Sequence, residues 1–395
     1  MMQRPSSTRT LLVLVVTYSM ALPAQEPTRW TLTPTLRLDA TTEDFSPLLA
    51  PRTGGTSFIV GSGGEIVVSQ TQDAVVRVYD STGTLTKSLG RRGSGPGEFR
   101  NIFRLGWIRD TLWVYDAGQR RFTRFDGQWQ LAHTNVLPGG LRQPAEGAAP
   151  RVITDFAPSA LTGGGGMLGQ IIVTEGRAPG GWLRLSYHVA AVDSASNVRR
   201  LAEIPPEAVS PRVHVPGASG ASPYAYAVVP FANDALYTVS AAGDRFAILT
   251  TNRAARTYTV TTYRANGEQI FARTLPFVPL LLARDTIDAA INAATRNTRQ
   301  PPAVIAELQK ALREAVPPHR PPVTSVVLAR DGRTWIRLAA APGASSAVVL
   351  DATGATVATV SLPDGLELVD ADDRRVWVTE TDADGLTSIA VMHYR

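Results

Sequence analysis

The 395 residues contain no cysteine. The chain can form no disulfide and carry no acylated N-terminal cysteine, so lipoprotein anchoring is excluded and an exported product must rely on its core alone. Lysine is almost missing as well. Lys87 and Lys310 are the only two, and arginine carries the net charge of +5. Apart from short clusters such as Arg91-Arg92, Arg120-Arg121, Arg199-Arg200 and Arg374-Arg375, the arginines are scattered. No basic helix and no basic stripe interleaved with aromatics accompanies them, so no nucleic-acid partner is expected. The five histidines, His133, His188, His214, His319 and His393, show neither H-x-x-x-H nor H-E-x-x-H spacing, which argues against a histidine-ligated zinc. There is no G-x-S-x-G elbow and no P-loop. The G-x-G-x-x-G match at residues 164–169 precedes a predicted strand, whereas a phosphate site needs a helix N-terminus. Asp382-Ala383-Asp384-Gly385 resembles the start of a calcium loop but lacks the later bidentate glutamate, and a plain turn accounts for it.

Long apolar runs are missing too. The nearest approach, residues 11–22, contains Thr17, Tyr18 and Ser19 and is too short and too polar to span a bilayer. With Arg4 and Arg9 before it and Ala21-Leu22-Pro23-Ala24 after it, the run reads as the core of a signal peptide over residues 1–24. The expected product, residues 25–395, is secreted or periplasmic, monomeric and without a membrane span.

What the chain has in quantity is short strands and turns. Gly 33 and Pro 28 suit many hairpins, and 44% hydrophobic residues suffice for a large core. A buried-looking strand recurs six times, near residues 65–69, 111–115, 170–174, 245–249, 334–337 and 376–379. A following strand ends in Asp/Asn and Gly, as at Asp80 to Gly83, Asp126-Gly127, Asn266-Gly267 and Asp351 to Gly354; such residues tolerate the positive φ of a hairpin turn. An array of small all-strand units of this size closes into a propeller. The fold class is therefore all-β, a six-bladed β-propeller with four antiparallel strands per blade. The last unit runs out after its third strand at residues 388–394, while residues 30–38 offer a spare strand. The N-terminal strand is expected to complete the final blade and close the ring.

Gly90-Arg91-Arg92-Gly93-Ser94-Gly95-Pro96-Gly97-Glu98-Phe99 carries a resemblance. This G-x-x-G-x-G-P-G-E-F run, continued by Leu112 to Asp116 and Arg121 to Asp126, resembles the blade-to-blade link of NHL-type six-bladed propellers. The clear match covers residues 83–126. The resemblance implies a fold and no single activity, because such propellers include scaffolds, sensors, lyases and lactonases.

Extra sequence lies at residues 138–151, 205–224 and 276–322, each between the fourth strand of one blade and the first of the next. All three should crowd one face of the disk. The third insertion reads as a helical hairpin over residues 283–318, between blades 4 and 5. Asp285 is placed as the cap of its first helix, and Val304, Ile305, Leu308, Ala311, Leu312 and Ala315 on one face of its second. It could be a clip over apolar surface, a ligand lid or a docking hairpin. Arg91, Arg92, Arg100 and Arg104 are the candidate ligand-binding residues of this face, suited to a carboxylate or sulfate. The function read from this is binding or scaffolding of a protein or carbohydrate partner. The alternative is a metal-dependent hydrolase or lyase. Calcium-dependent lactonases of similar fold place Asn, Asp and Glu around the channel, so the resemblance implies Asn101, Asp155 and Asp370 as calcium ligands in that case.

Export gives the first testable expectation. Mass analysis of the exported product should find a chain beginning near Gln25, and recovery of the uncleaved chain in the membrane fraction would contradict it.

Overall fold

The second strand of each unit is legible because it is buried on both faces by the neighbouring units. Ile66–Gln70 is buried at every position, Thr111–Asp116 nearly so, and Arg375–Thr381 through its central Val376 to Thr379. Outer strands such as Leu131–Val136 are mostly exposed. The computed structural model describes residues 27–39, 58–137, 141, 152–163, 165–177, 183–205, 212–216, 224–232, 235–340, 346–363, 365–382 and 386–395. Residues 1–26 and most of 138–151 lie outside them.

Six antiparallel sheets form a six-bladed β-propeller. From the channel outward, blade 1 uses strands Phe58–Val60, Ile66–Gln70, Val75–Tyr79 and Leu85–Leu89. Blade 2 runs from Ile102–Ile108 to Leu131–Val136, blade 3 from Val152–Leu161 to Val198–Ile204, and blade 4 from Ala235–Val239 to Gln269–Pro276. Blade 5 runs from Val323–Leu328 to Thr356–Ser361. Blade 6 has only Leu366–Ala371, Arg375–Thr381 and Thr387–Tyr394 of its own, and its outer strand is the N-terminal Leu32–Leu38, paired antiparallel with Thr387–Tyr394. The expected closure is present, with an addition. Just upstream, Thr28–Trp30 pairs in parallel with the outer strand of blade 5, so one short segment latches two blades. Trp30 stacks on Tyr394 at 4.4 Å, and Leu36 and Leu38 pack against the blade 1 turn at Gly83.

The core lies between blades. Ile59 and Val67 of blade 1 cluster with Ile102 and Leu112 of blade 2, and equivalent clusters fill the other joints. Arginines reinforce the joints by donating to backbone carbonyls of the next blade, Arg245 to Gly332 O (2.9 Å) and Ala329 O (2.6 Å) and Arg199 to Asn266 O (2.9 Å), or of the preceding link, Arg121 to Ser94 O (2.9 Å) and Gly95 O (2.6 Å). The Gly-rich link has the same logic. Gly90 has φ +80°, and a Cβ there would lie 2.3 Å from the buried Phe99 ring. Glu98 accepts the Gly95 N–H (2.7 Å) and Arg91 Nε (2.8 Å), which hold its carboxyl below the usual range.

Four of the five third-to-fourth-strand turns put a small residue at their left-handed position: Gly83, Ser196, Gly267 and Gly354. Blade 2 puts Trp129 there, at φ +63°, within the same pair of turn hydrogen bonds. The expected turn glycine, Gly127, does not take that position. A bulky L-residue in this region costs about 1–2 kcal/mol.

The insertions after blades 3 and 4 meet on one face. Residues 205–224, expected only as extra sequence between blades, contain the first strand of a hairpin, Arg212–Pro216 with Tyr224–Val228. The helical hairpin is α1 (Arg284–Thr295) and α2 (Pro302–Ala315). Asp285 lies in the first turn of α1 and makes no side-chain cap; Ala283 holds the cap position. Val215, Ala225 and Ala227 of the β-hairpin pack on Ile291, Val304, Leu308 and Leu312, giving this cap its own apolar core. Among the described residues, no helix is long and apolar enough to cross a membrane.

Deleting residues 28–39 should expose the edge of blade 6 and unlatch blade 5. At about 1.5–3 kcal/mol per buried apolar side chain, loss of Trp30, Leu36 and Leu38 contacts removes several kcal/mol. The expected outcome is a lower melting temperature with aggregation in size-exclusion chromatography; an unchanged melting curve would show that these strands do not hold the ring.

Candidate functional site

Innermost strands wall the channel, and four of them break register in the same way. A bulge precedes Arg104 in blade 2, Asp155 in blade 3, Ser325 in blade 5 and Asp370 in blade 6. Bulges re-aim the following side chain and concentrate beside functional sites. Each bulge here is followed by a polar residue.

These four groups stand at different depths. Arg104 pairs with Tyr115 and Ser325 with Arg337, each two residues from the tryptophans Trp113 and Trp335. Asp370 pairs directly with the equivalent Trp377, nearer the first turn of its blade. Asp155 sits toward the opposite end, exposed, with Oδ1 on its neighbour's N–H. Asn101 is also exposed, just before the inner strand of blade 2. The three residues considered as calcium ligands thus spread along the channel, and among the described residues no three His, Cys, Asp or Glu side chains gather closely enough to hold one metal ion. His133, His188 and His393 lie in third or fourth strands, away from the channel.

A cavity of about 370 Å³ runs along the channel, with the exposed Thr324 and Glu367 at its strand-start end. Arg104, Tyr237, Ser159, Ser325 and Thr379 give it polar groups. Arg104 is half-buried; its Nε is enclosed without a partner, and Phe103 lies beside the guanidinium at 5.8 Å. Burial lowers its pKa, while the only opposing influence is the Tyr237 hydroxyl and no carboxylate. Tyr237 donates to Ser159 Oγ at 3.4 Å, and burial pushes its phenol up to about 12. Ser325 Oγ and Thr379 Oγ1 also lack partners. The cavity wall therefore holds, at Arg104, a guanidinium with no carboxylate beside it, two hydroxyls without partners (Ser325 and Thr379), Arg337, and the carboxyls of Glu367 and Asp370 toward its two ends; an anionic oxygen group would be received at Arg104.

Arg91, Arg92 and Arg100 lie elsewhere, on the exposed link between blades 1 and 2. Arg91 is ion-paired with Glu98 and Arg92 donates to the Gln72 carbonyl, while the Arg100 backbone N–H is held by Asp116 at 2.7 Å. They share the face of the cap but not the cavity of Arg104. Sequence reasoning missed Ser325, Tyr237 and Thr379, because a hydroxyl residue inside a strand has no distinguishing neighbour pattern.

At the other end of the channel, Arg330 of blade 5 reaches past blade 6 to the blade 1 carbonyls of Val60 (2.9 Å) and Gly61 (2.5 Å), and pairs with Asp370 at 2.7 Å. Burial raises the Asp370 carboxyl, against the lowering influence of Arg330. The Trp107 N–H donates to Ala241 O at 2.9 Å, tying blade 2 to blade 4 past blade 3.

No protein-family model matches the chain, and no curated protein matches it. Among solved structures it is similar to a member of the DUF4221 family from Bacteroides vulgatus, at 10% identity and TM-score 0.48 over 93% of this chain and 97% of that one. It is also similar to virginiamycin B lyase from Staphylococcus aureus (10% identity, TM-score 0.40, 92% and 99% covered). Regucalcin from Agrobacterium tumefaciens, a calcium-binding protein, gives 12% identity and TM-score 0.37, with 92% and 96% covered. These likenesses concern the fold.

The Arg330–Asp370 pair is open to test. Arg330→Met should cost about 3–5 kcal/mol at neutral pH, because it strands a buried carboxylate. Adding Asp370→Asn should recover part of that loss. With the carboxyl pKa raised further in the folded single variant, its deficit should be smallest in acid and grow as pH rises through the folded value. Denaturant titrations at several pH values measure both effects.

Proposed function

We propose that the protein is an exported, NHL-type propeller that acts as a binding module, taking a carboxylate- or sulfate-bearing group of a glycan or protein partner through its capped face. The observation that carries this reading is Arg104, half-buried in the channel wall with its Nε enclosed and no carboxylate partner. A charge held out of water without a counter-ion is costly unless a ligand supplies one. The hydroxyls of Ser325, Thr379 and Tyr237 line the same cavity and would add hydrogen bonds. Among the described residues, the cap of β-hairpin and helices extends the face where the inner strands begin, and elaborated loops on a rigid scaffold are where binding concentrates. Arg91, Arg92 and Arg100, exposed on that face, would steer an acidic partner without anchoring it. The link at residues 90–99 supports the NHL-type assignment.

The test is calorimetric titration with uronic-acid and sulfated oligosaccharides and with acidic peptides. Arg104→Gln should weaken binding by about tenfold to a hundredfold, the range for a hydrogen bond to a charged group. Arg91→Ala with Arg92→Ala should act mainly on the association rate and its salt dependence. Full-strength binding by Arg104→Gln would overturn the reading. Turnover of a lactone or ester that a chelator abolishes would replace it with the metal-dependent enzyme.

A further inference from the structure

The opposite face of the disk carries a second cavity of about 500 Å³, built from turns of blades 1, 2, 4 and 5. Its size lies within the range of small-molecule sites. Trp107 and Trp129 form one wall, edge to face with centroids 6.0 Å apart. Trp107 is fixed at both ends of the residue, its indole N–H on Val60 O at 2.9 Å and its backbone N–H on Ala241 O. Trp129 is held in place at a conformational cost, occupying the left-handed turn position that blades 1, 4 and 5 give to glycine. Arg109 of the same blade, at φ +52°, also lines the cavity; the longer first turns of blades 1, 3, 4 and 5 use Gly64, Gly165, Gly243 and Gly332 at positive φ. Two bulky left-handed residues in one blade thus turn their side chains to one pocket. Backbone strain retained where glycine is the evident alternative is a mark of function.

The remaining polar groups narrow the ligand. Arg330 and Asp370 satisfy each other, and Arg245 is committed to two carbonyls of blade 5. On the rim Asp244 already accepts from Ser240 Oγ at 2.6 Å and faces Arg245 at 3.8 Å, and Glu65 accepts the Gly63 N–H at 2.9 Å; Asp110 remains as an acceptor and Arg109 and Gln128 as donors, so neither sign dominates. A phosphate or other strong anion would face three carboxylates, and a cation would face Arg109. A polyhydroxylated ring suits both parts of the wall, laying its C–H face on an indole and its hydroxyls against mixed donors and acceptors. We propose that this turn-face cavity binds a neutral saccharide ring stacked on Trp129 and Trp107, as a site separate from the channel of Arg104.

Titration of the full chain with neutral mono- and disaccharides, followed by tryptophan fluorescence and saturation-transfer NMR, tests the assignment. Saturable binding is expected in the millimolar range or tighter. Trp129→Gly, which suits the turn, should weaken it by about tenfold or more while the propeller still unfolds cooperatively. The exposed Gln128→Ala and Asp110→Ala changes should each weaken binding severalfold without altering the melting temperature, which keeps the test decisive if Trp129→Gly folds poorly. Arg104→Gln should leave saccharide binding intact, so this site and the channel reading stand or fall separately. Equal affinity in Trp129→Gly, no effect of the two rim changes, or a response only to quaternary ammonium or anionic probes would each overturn the proposal.

Discussion

A sheet that ends in an open edge invites another strand, and in this ring the blade left one strand short is the one where the two chain ends meet. Everything else in this protein depends on closing that gap. The joint is made by a strand whose partner lies more than three hundred residues away, Leu36 opposite Val391 and Leu38 opposite Ile389. Because Thr28–Trp30 adds itself to blade 5 before Leu32–Leu38 completes blade 6, the segment sets the angle between two blades as well as filling one. Trp30, Trp335 and Tyr394 then pack at the seam, with Arg333 over the Trp30 ring at 5.3 Å.

Between blades, the work of holding the circle falls to apolar clusters and to arginine. A guanidinium offers several donors in a fixed plane and stays charged at any physiological pH, so it can satisfy two carbonyls of a neighbouring turn at once. Arg121, Arg245 and Arg330 each do this. Lysine could not span two carbonyls in the same geometry. The scattered arginines, uninformative as a charge pattern, thus gain a structural reason one joint at a time.

Much of the fold was legible because burial on both sides forces the second strands into near-continuous apolar runs, and because most turns spell out Asp/Asn and Gly. The closing strand was legible as a vacancy at one end and a surplus at the other. Less was visible where a local pattern was short or where register changed. Val213 and Val215, and Ala225 and Ala227, alternate as a hairpin should, but small alanines and a proline-rich surrounding hid the period. The bulges before Arg104, Asp155, Ser325 and Asp370 depend on cross-strand pairing and have no signature in a single strand. Arg104, Asp155 and Asp370 could still be picked out as polar residues in inner strands, whereas Ser325 could not. Trp129 was out of reach for a different reason: Gly127 stands two residues earlier and is the more plausible turn residue by propensity, yet the hydrogen-bonded frame counts positions and selects the tryptophan.

The two bonds that skip a blade, Trp107 N–H to Ala241 O and Arg330 to the Val60 and Gly61 carbonyls, act as chords across the wheel. A ring of wedges joined only to neighbours could flatten into an oval by small adjustments at every joint. Chords between blades 2 and 4 and between blades 5 and 1 oppose that deformation at the turn-side end of the channel. At the other end the binding is of a different kind: the cap keeps its own small apolar core, and Arg253 of blade 4 donates to Phe231 O at 3.1 Å and His319 O at 3.0 Å, so the two chords brace the wheel from one side.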